Sequence, residues 1–338
     1  MAVVGVGAFG RNHARVYREL AQQGGVQLIG VLDSDAAAAA AAGQRFGVPV
    51  LSSLAALKGT VDAVSVAVPT VHHLAVAREL LEAGIDLLIE KPLAASLDEA
   101  DELIRLAQRT GRVVQVGHLE RFNPAVRATV PLLTRPLFFE VHRLSVFTPR
   151  SLDVDVVLDL MIHDLDVVLS FVDSPVKEIR AVGLPILSER VDIANVRMEF
   201  DSGCVANFTA SRVSTERVRK LRFFQPHQYI SIDYTRQDLM VFSVDPSKAA
   251  AVPGELLPSA NPGISMQKPP VVAEEPLKAE LRAFLDAVRS RSKPMVGLED
   301  GRRALAVALD VLAAIREHSR RLRLEALVPP PAARNNPA

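Results

Sequence analysis

The stretch that most constrains the fold lies at the start of the chain. An apolar run over residues 3–6 is interrupted by Gly5-x-Gly7-x-x-Gly10 and continues into a helical pattern. Gly5 permits a sharp turn, Gly7 permits close approach of the backbone to a pyrophosphate, and Gly10 permits close packing of helix on strand. The helix N-terminus adds N–H groups and the positive end of a dipole. The same spacing also fits a tight glycine turn in an ordinary α/β unit.

A carboxylate after the second apolar run favours a dinucleotide site. This run covers residues 26–32 and ends at Asp33, about 20 residues after the glycines, where an acid typically accepts hydrogen bonds from the ribose hydroxyls. Such a carboxylate would repel a 2′-phosphate, and the neighbours Ser34 and Asp35 add no positive charge. We therefore expect NAD as the cofactor, in preference to NADP.

Residues 1–118 alternate strand and helix patterns and predict the first domain. Helical segments separate the strands, which indicates a doubly wound parallel sheet. The predicted strands cover residues 3–6, 26–32, 48–50, 61–68, 87–89 and 113–116. Ligands bind at the carboxyl ends of such strands. Four residues fall at those ends: Gly5, Asp33, Pro69 and Lys91.

The pattern changes after Gly117, and residues 119–328 predict a second α/β domain. A helix is expected over residues 154–172, and residues 329–338 are expected to form a flexible tail. Closely spaced β-rich runs predict an open, mostly antiparallel sheet. These runs cover residues 137–147, 176–187, 191–201, 204–213, 217–225, 228–234 and 238–244. A long loop is expected over residues 245–276, which contain seven prolines.

The composition excludes several classes of function. Lysine and arginine number 39, as do aspartate and glutamate, so no excess charge favours nucleic acid or an anionic membrane surface. A single cysteine, Cys204, excludes an internal disulfide and fits a reducing compartment. No apolar run approaches a membrane span, and the glycines interrupt any signal-peptide pattern at the start. A cytoplasmic enzyme is therefore expected.

A lysine follows the fifth predicted strand in the sequence Glu90-Lys91-Pro92. A lysine at the mouth of a nucleotide cleft is suited to exchange a proton with a substrate hydroxyl. Without that context, a lysine in a surface loop is the favoured interpretation of Lys91.

A polar group on the predicted helix of the second domain suggests an acid–base site. Asp159, His163 and Asp166 occupy positions i, i+4 and i+7, which share one helix face. An apolar face lies beside it, made of Leu158, Ile162, Leu165 and Leu169. His163 titrates near neutral pH and Asp159 can orient it. An exposed ion pair and a shared metal ion are alternatives. We expect no metal, because no other cluster of ligands stands out and hydride transfer needs none.

Together these motifs resemble the Gfo/Idh/MocA oxidoreductase family. The matching segments are Gly5-x-Gly7-x-x-Gly10, Pro69-Thr70-x-x-His73, Glu90-Lys91-Pro92 and Asp159-x-x-x-His163-x-x-Asp166. The resemblance implies a Rossmann domain followed by an α/β domain with an open sheet. It also implies that Lys91 and His163 are the catalytic pair, that Asp159 supports His163, and that Pro92 follows a cis peptide.

The family pattern also implies which residues contact the cofactor. They are Gly5, Gly7, Ala8, Phe9, Gly10, Asp33, Pro69, Thr70, His73, Glu90 and Lys91. Two departures are visible. Thr70 replaces the usual Asn after the proline, and His118 and Leu119 stand where many members carry other residues.

Longer strings resemble one branch of the family, which oxidises UDP-N-acetylglucosamine at its 3-hydroxyl. They cover residues 117–124, 159–164 and 192–207, and include Arg212. A pyrophosphate needs cationic or N–H donors. Candidates are Arg121, Arg143, Arg150, Arg212, Lys220 and Arg222. We expect Arg121 and Arg150 to bind it, with Arg212 as a third. The resulting substrate-binding set is Lys91, Arg121, Asn123, Arg150 and His163.

Two other functions compete with this interpretation. One is an inositol or free-sugar dehydrogenase of the same family, and the other is a non-catalytic nucleotide-sensing regulator on the same fold. The presence of Lys91, Asp159 and His163 argues against the regulator. Apolar positions in residues 205–208 and 221–224 are expected on an uncovered sheet face, which predicts a homodimer or homotetramer through the second domain.

Overall fold

The computed structural model describes residues 1–148, 154–245, 247 and 263–322. The chain forms two compact units. Unit 1 comprises Met1–Pro124 and Ala273–Ala306, and unit 2 comprises Ala125–Val272 and Val307–Ala338. Unit 1 thus includes residues 273–306, which the division by sequence assigned to the second domain. The predicted tail, residues 329–338, lies outside the described residues.

Unit 1 is built on a five-stranded parallel sheet in the order β2-β1-β3-β4-β5. Its strands are β1 (Ala2–Val4), β2 (Gly30–Leu32), β3 (Ala63–Val66), β4 (Asp86–Glu90) and β5 (Val114–Gly117). The order places β1 between β2 and β3, and after β2 the chain crosses to the other side of β1. This confirms the prediction of a doubly wound sheet.

The prediction of a third strand at residues 48–50, which would have given the sheet six strands, was wrong. Val50 forms only an isolated parallel bridge with Val31. Pro49 accepts a hydrogen bond from the Val31 N–H at 3.0 Å but has no N–H of its own to donate. The segment therefore borders β2 without extending the sheet.

Helices connect and follow the strands. They are α1 (Gly10–Gln22), α2 (Ala36–Phe46), α3 (His73–Glu82), α4 (Leu97–Thr110), α5 (Pro124–Thr129), α6 (Ile162–Phe171), α7 (Pro276–Ser290) and α8 (Leu298–Leu322). Asp35 caps α2 by accepting the N–H groups of Ala37 and Ala38. Among the described residues, no helix combines the length and apolar character that a membrane crossing requires.

Helix α7 returns late in the chain to complete the core of unit 1. Leu281 and Phe284 of α7 are fully buried together with Val16 and Tyr17 of α1, and this cluster includes Val3 of β1. Two helices distant in sequence thus cover the same face of the sheet. This shared core explains why residues 273–306 belong to unit 1.

Unit 2 is built on an eight-stranded sheet in the order β13-β12-β11-β10-β6-β9-β8-β7. Its strands are β6 (Phe138–Val146), β7 (Val176–Leu184), β8 (Ile193–Phe200), β9 (Val205–Ser214), β10 (Val218–Gln225), β11 (Gln228–Asp233), β12 (Asp238–Val244) and β13 (Ile264–Gln267). Only the β6–β9 pair is parallel within this described sheet. The mostly antiparallel sheet is confirmed, while β13 lies in the predicted loop.

The apolar residues expected on the uncovered face of this sheet lie on its inner face. Ala206, Phe208, Leu221 and Phe223 are at most 1% exposed. Side chains alternate along a strand, so only their neighbours point outward. The expectation was therefore wrong for these four residues, whereas Phe224 of the second string is 37% exposed.

The outer face instead combines an aromatic row with polar pairs. Phe224 lies 5.8 Å from Phe138 and 5.0 Å from Tyr229, and Tyr229 lies 5.4 Å from Phe242, measured between ring centroids. Elsewhere on this face Arg222 pairs with Glu140, Asn195 with Thr209, and Arg197 with Asn207.

Candidate active site

The three glycines after β1 have different surroundings. Gly5 has a φ of +87°, and a Cβ there would lie 2.5 Å from the Ala67 carbonyl oxygen. At Gly10 a Cβ would lie 1.8 Å from the Gly5 carbonyl oxygen. At Gly7 it would meet nothing within 4 Å. Two glycines are thus required by the packing of the loop against β3 and α1, while the third exposes its backbone to open space.

The carboxylate of Asp33 is fixed by two backbone groups. One oxygen accepts the Val6 N–H at 2.6 Å, and the other accepts the Asp35 N–H at 2.9 Å. The first bond ties the end of β2 to the loop after β1. Asp33 therefore has a defined orientation beside the glycine loop, at the carboxyl ends of the two strands.

A cavity of about 960 Å³ opens at these strand ends. It is lined by Val4, Gly5, Gly7, Leu32, Asp33, Ser34, Ser52, Ser53, Leu54, Ala67, Val68, Pro69, His72 and Val76. Ala8 and Phe9 are exposed in the same glycine loop, and α1 begins at Gly10. The described lining contains the Asp33 carboxylate and no lysine or arginine. Its charge therefore disfavours an additional phosphate next to Asp33.

Two adjacent histidines after β3 occupy different places. His73, the residue that the sequence motif selected, is 1% exposed. Its ring nitrogens lie 3.1 Å from the Leu93 carbonyl oxygen and 3.0 Å from that of Val68. Burial lowers the pKa of His73, outweighing these backbone contacts. His72 lines the cavity, although the sequence analysis did not select it. Thr70 is half-buried, as the first residue of a short 3₁₀ turn.

Strand β4 ends at Glu90, and the Lys91–Pro92 peptide is cis, as the family resemblance implied. Lys91 is half-buried. The Glu90 carboxylate, mostly buried, lies 2.9 Å from the Nε2 atom of His13 in α1. The sequence analysis did not identify His13, because nothing in the spacing of one buried histidine marks what it contacts.

The turn after β5 carries a cluster of buried polar groups. Burial lowers the pKa of His118 to about 3, and the positive charges of Lys91 and Arg121 act in the same direction. Arg121 is half-buried. Asn123 is 1% exposed, and its side-chain amide donates to a Glu120 carboxylate oxygen at 3.2 Å. The described structure thus gives Asn123 a contact within the protein, beside the more accessible Arg121.

In unit 2, the segment with the predicted acid–base group changes its helical form. Residues Val157–Met161 form a π-helical turn that leads into α6. Asp159 and His163 are half-buried, whereas Asp166 is 2% exposed. A π-helical turn holds more residues than an α-helical one and is frequent at functional sites. The predicted i, i+4, i+7 spacing on one α-helical face therefore applies to only part of this segment. Asp166 is more deeply buried than the sequence predicted.

Two of the arginines considered for a phosphate are used inside unit 2. Arg143 is 2% exposed and donates to both carboxylate oxygens of Asp164, at 2.6 and 2.8 Å. Arg212 is 5% exposed, lies 3.5 Å from an Asp192 oxygen, and donates to the Val154 carbonyl. Neither guanidinium is available on the surface.

The remaining cationic candidates divide differently. Arg222 lies on the outer sheet face, 2.6 Å from Glu140. Arg150, one of the two preferred candidates, lies outside the described residues. Among the described residues, no group of three or more His, Cys, Asp and Glu side chains is arranged to hold a metal ion.

The geometry of unit 1 fits a dinucleotide. The backbone at Gly7 faces open space, the N-terminus of α1 follows directly, and the Asp33 carboxylate borders the same cavity. Backbone N–H groups at a helix N-terminus bind phosphate, and a carboxylate at the end of the second strand binds ribose hydroxyls. The residues present thus provide both the phosphate-binding and the ribose-binding features of a dinucleotide site.

Comparison with known proteins agrees with this geometry. A family model described as an oxidoreductase family with an NAD-binding Rossmann fold matches residues 1–118. A second model, the GFO/IDH/MocA C-terminal domain, matches residues 136–230. UDP-N-acetylglucosamine 3-dehydrogenase of Acidithiobacillus ferrooxidans is 37% identical over 93% of this chain and 96% of its own. Inositol 2-dehydrogenase of Rubrobacter xylanophilus is 31% identical over 54% of this chain and 55% of its own.

Solved structures extend the likeness to the fold. The crystal structure of the Acidithiobacillus ferrooxidans enzyme matches with a TM-score of 0.84 and covers 93% of this chain and 96% of that one. An oxidoreductase from Agrobacterium radiobacter, solved with NAD+, L-tartaric acid and magnesium, is only 16% identical but has a TM-score of 0.79, covering 93% and 95% of the two chains. The chain belongs to the Gfo/Idh/MocA family and is an NAD-dependent dehydrogenase.

Proposed function

We propose that this enzyme oxidises the 3-hydroxyl of UDP-N-acetylglucosamine to a ketone, with NAD as hydride acceptor. The observation that carries the proposal is the 37% identity to a UDP-N-acetylglucosamine 3-dehydrogenase over nearly the whole of both chains. In this proposal residues 1–118 bind the cofactor, and residues 119–328 bind the sugar nucleotide and mediate self-association.

The chain's own groups would manage the proton. NAD, when bound, accepts a hydride from the substrate carbon. The hydroxyl on that carbon must then lose its proton. We assign His163 as the base, oriented by Asp159, because a histidine titrates near the working pH. Lys91 is assigned to hold the developing alkoxide and share the proton.

The assignment of the pair can be tested by substitution. Lys91→Met and His163→Asn should each lower turnover roughly 100-fold or more, the usual scale for acid–base catalysis, with NAD binding retained. A pH–rate profile that loses its acid limb in His163→Asn supports that residue as the base. Loss of that limb in Lys91→Met alone reverses the two roles, and near-normal turnover in both variants refutes the pair.

The substrate-binding set is proposed with Arg121 as the pyrophosphate donor. Arg121 lies in the turn after β5, half-buried, and its charge and that of Lys91 both act on His118. Arg150 stays a proposed second donor. Asn123 is proposed to support this turn through its contact with Glu120. Arg121→Met should then raise the KM for the UDP-sugar far more than it lowers kcat, since a phosphate contact contributes to binding throughout the reaction.

The substrate itself is tested by comparing sugars. Reduction of NAD should be measured with UDP-N-acetylglucosamine, myo-inositol and glucose, with the keto product trapped to overcome an unfavourable equilibrium. The proposal predicts activity on the UDP-sugar. Activity on the free polyols alone would assign the inositol or free-sugar function, which the Rubrobacter xylanophilus relative favours. NAD binding without turnover on any sugar would favour a nucleotide-sensing regulator.

We also propose that the enzyme is a cytoplasmic homodimer or homotetramer. The outer sheet face of unit 2 carries an aromatic row that includes Phe224, which is 37% exposed. Exposed apolar surface of this kind commonly forms interfaces. Burial raises the pKa of the Cys204 thiol to about 11, so it is held as an inert thiol that a reducing compartment preserves. Light scattering at micromolar concentration that gives a monomer would contradict the oligomer.

A further inference from the structure

A buried histidine of α1 lies against the carboxylate that precedes Lys91. His13 is 0% exposed, and its Nε2 atom is 2.9 Å from the Glu90 Oε1 atom. The two atoms meet off the axis of a straight hydrogen bond. Glu90 is 8% exposed. A carboxylate this deeply buried requires a compensating donor, and His13 is placed to be one.

The neighbouring strand leaves space for this contact. Glu90 at the end of β4 pairs in register with Gly117 at the end of β5. A Cβ at Gly117 would lie 2.7 Å from Glu90 Oε1 and 3.0 Å from Oε2. The glycine therefore allows the carboxylate to lie over β5, in the position where His13 meets it.

The other oxygen of Glu90 is turned toward the lysine. Glu90 Oε2 accepts the backbone N–H of Lys91 at 3.3 Å. The charges of Glu90 and Lys91 also act on the same buried imidazole, His118, with opposite sign. Other charged groups that act within this region are Arg121, Glu280 and Asp300, and the buried Tyr17 and His73 also lie there. Glu90 thus lies between the His13 ring and the backbone N–H of Lys91, in a region of low dielectric.

His13 is connected to the glycine loop on its other side. The ring of Phe9 meets the His13 ring edge-on, with centroids 5.4 Å apart. Phe9 is exposed in the glycine loop, and Gly10 begins α1. One imidazole thus contacts both the loop beside the proposed phosphate site and the carboxylate adjoining Lys91.

We propose that His13 is a positioning residue, which holds the Glu90 carboxylate and, through it, fixes Lys91 relative to the glycine loop. This inference rests on the role proposed for Lys91 above. It differs from a purely structural role, in which His13 would only fill space under the sheet.

Tyr17 provides the matched control. It lies one turn later in α1, is also 0% exposed, and its hydroxyl forms a 2.8 Å hydrogen bond with the Ser65 hydroxyl. Tyr17→Phe removes a buried polar contact from the same helix face without touching Glu90. A purely structural role for His13 predicts that His13→Leu and Tyr17→Phe behave alike.

The experiment measures the titration of Lys91 and the kinetics in the same variants. Lysines are labelled as ¹³C-dimethyl derivatives, and the Lys91 resonance is assigned from its loss in Lys91→Arg. Loss of the histidine leaves Glu90 less compensated, so in His13→Leu the Lys91 titration should move up by roughly half a pH unit or more. The pKa of Lys91 should fall in Glu90→Gln and should be unchanged in Tyr17→Phe. Turnover in His13→Leu should fall roughly tenfold or more with the NAD dissociation constant nearly unchanged, and His13→Gln should recover part of it.

The outcomes separate this inference from the proposed function. The NMR titration needs no substrate, so it tests His13 even in a protein that oxidises none of the sugars offered. Equal titrations of Lys91 in His13→Leu and in the wild type would overturn the inference, as would a loss of turnover no larger than that of Tyr17→Phe. If His13→Leu does not fold, an unchanged Lys91 titration in Glu90→Gln overturns it instead.

Discussion

Two carboxylates, one in each unit, are held in contrasting ways. In unit 1, Asp33 accepts backbone N–H groups from the glycine loop and from the start of α2, and it borders a cavity. In unit 2, the buried carboxylate of Asp164 is met by the guanidinium group of Arg143. Backbone donors fix a carboxylate without neutralising it, whereas an arginine both fixes and neutralises it. The first arrangement leaves charge for a ligand, and the second uses charge to join elements of the protein.

This difference shows which sequence patterns specify a local geometry and which do not. A glycine motif specifies a backbone path, and Gly5 and Gly10 have no room for a side chain along that path. An arginine specifies only a charge, and its partner depends on the tertiary fold. Arg143 and Arg212 therefore matched a phosphate site by type while lying in the interior of unit 2.

The largest expected effect separates two glycines of the loop. In Gly10→Ala the Cβ would lie 1.8 Å from a backbone carbonyl oxygen, whereas in Gly7→Ala it would meet nothing within 4 Å. We expect Gly10→Ala to lower the free energy of unfolding by about 4 kcal/mol or more, measured by urea unfolding. Gly7→Ala should keep its stability but bind NAD more weakly. Equal stability of the two variants would show that the loop does not need its close packing.

The next largest effect is expected from breaking the buried ion pair between Arg143 and Asp164 in unit 2. Arg143→Met leaves the Asp164 charge buried and uncompensated, which should cost about 3–5 kcal/mol of unfolding free energy. The double variant Arg143→Met/Asp164→Leu should recover most of it. As a control, Arg222→Met breaks a partly exposed pair with Glu140 and should cost less than about 1 kcal/mol. A phosphate-binding role for Arg143 would instead change the KM for the UDP-sugar with little loss of stability.

A smaller effect should appear in the pH dependence of stability. The pKa of His118 is about 3 in the folded protein, below its ordinary value of about 6.5. The unfolded chain then binds a proton that the folded protein excludes, so stability is full above pH 6.5 and falls toward pH 3. The loss approaches about 1.4 kcal/mol per pH unit. His118→Leu should flatten this slope in urea unfolding between pH 7 and pH 4.5, and an unchanged slope would assign the loss to other groups.

The smallest expected effect concerns Asp33, the carboxylate that borders the cavity of unit 1. Asp33→Ser removes the charge that disfavours a 2′-phosphate and keeps a hydroxyl that can accept a hydrogen bond. We expect the preference for NAD over NADP to shrink by about ten- to a hundredfold, the scale of one charge-assisted hydrogen bond. The ratio of kcat/KM for the two cofactors measures it. A higher kcat/KM with NADP than with NAD in the wild-type enzyme would contradict the assignment of Asp33.

The fold was largely predictable because its signals are local and periodic. The six β-rich runs between residues 176 and 244 all form strands, and alternation along them separates the faces. The identity of the buried face depends on which helix packs there. For that reason Phe208 and Phe223, which lie in strings expected to contribute to the uncovered face, are buried on the inner face.

Parts of the candidate site could not be predicted, because they depend on contacts distant in sequence. His13 lies in α1 and Glu90 ends β4, far apart in the sequence, yet the His13 Nε2 and Glu90 Oε1 atoms are 2.9 Å apart. His72 and His73 are adjacent, and only packing decides which one borders the cavity. The π-helical turn Val157–Met161 leaves no clear signature in the residue pattern.

The central claim is that hydride leaves C3 of UDP-N-acetylglucosamine and is transferred to NAD. It is tested most directly with UDP-N-acetylglucosamine deuterated at C3, incubated with the enzyme and NAD while the keto product is trapped. The account predicts that each molecule of reduced cofactor carries one deuterium atom. Reduced cofactor without deuterium, or no reduction with this substrate under conditions that support oxidation of a free polyol, would contradict it.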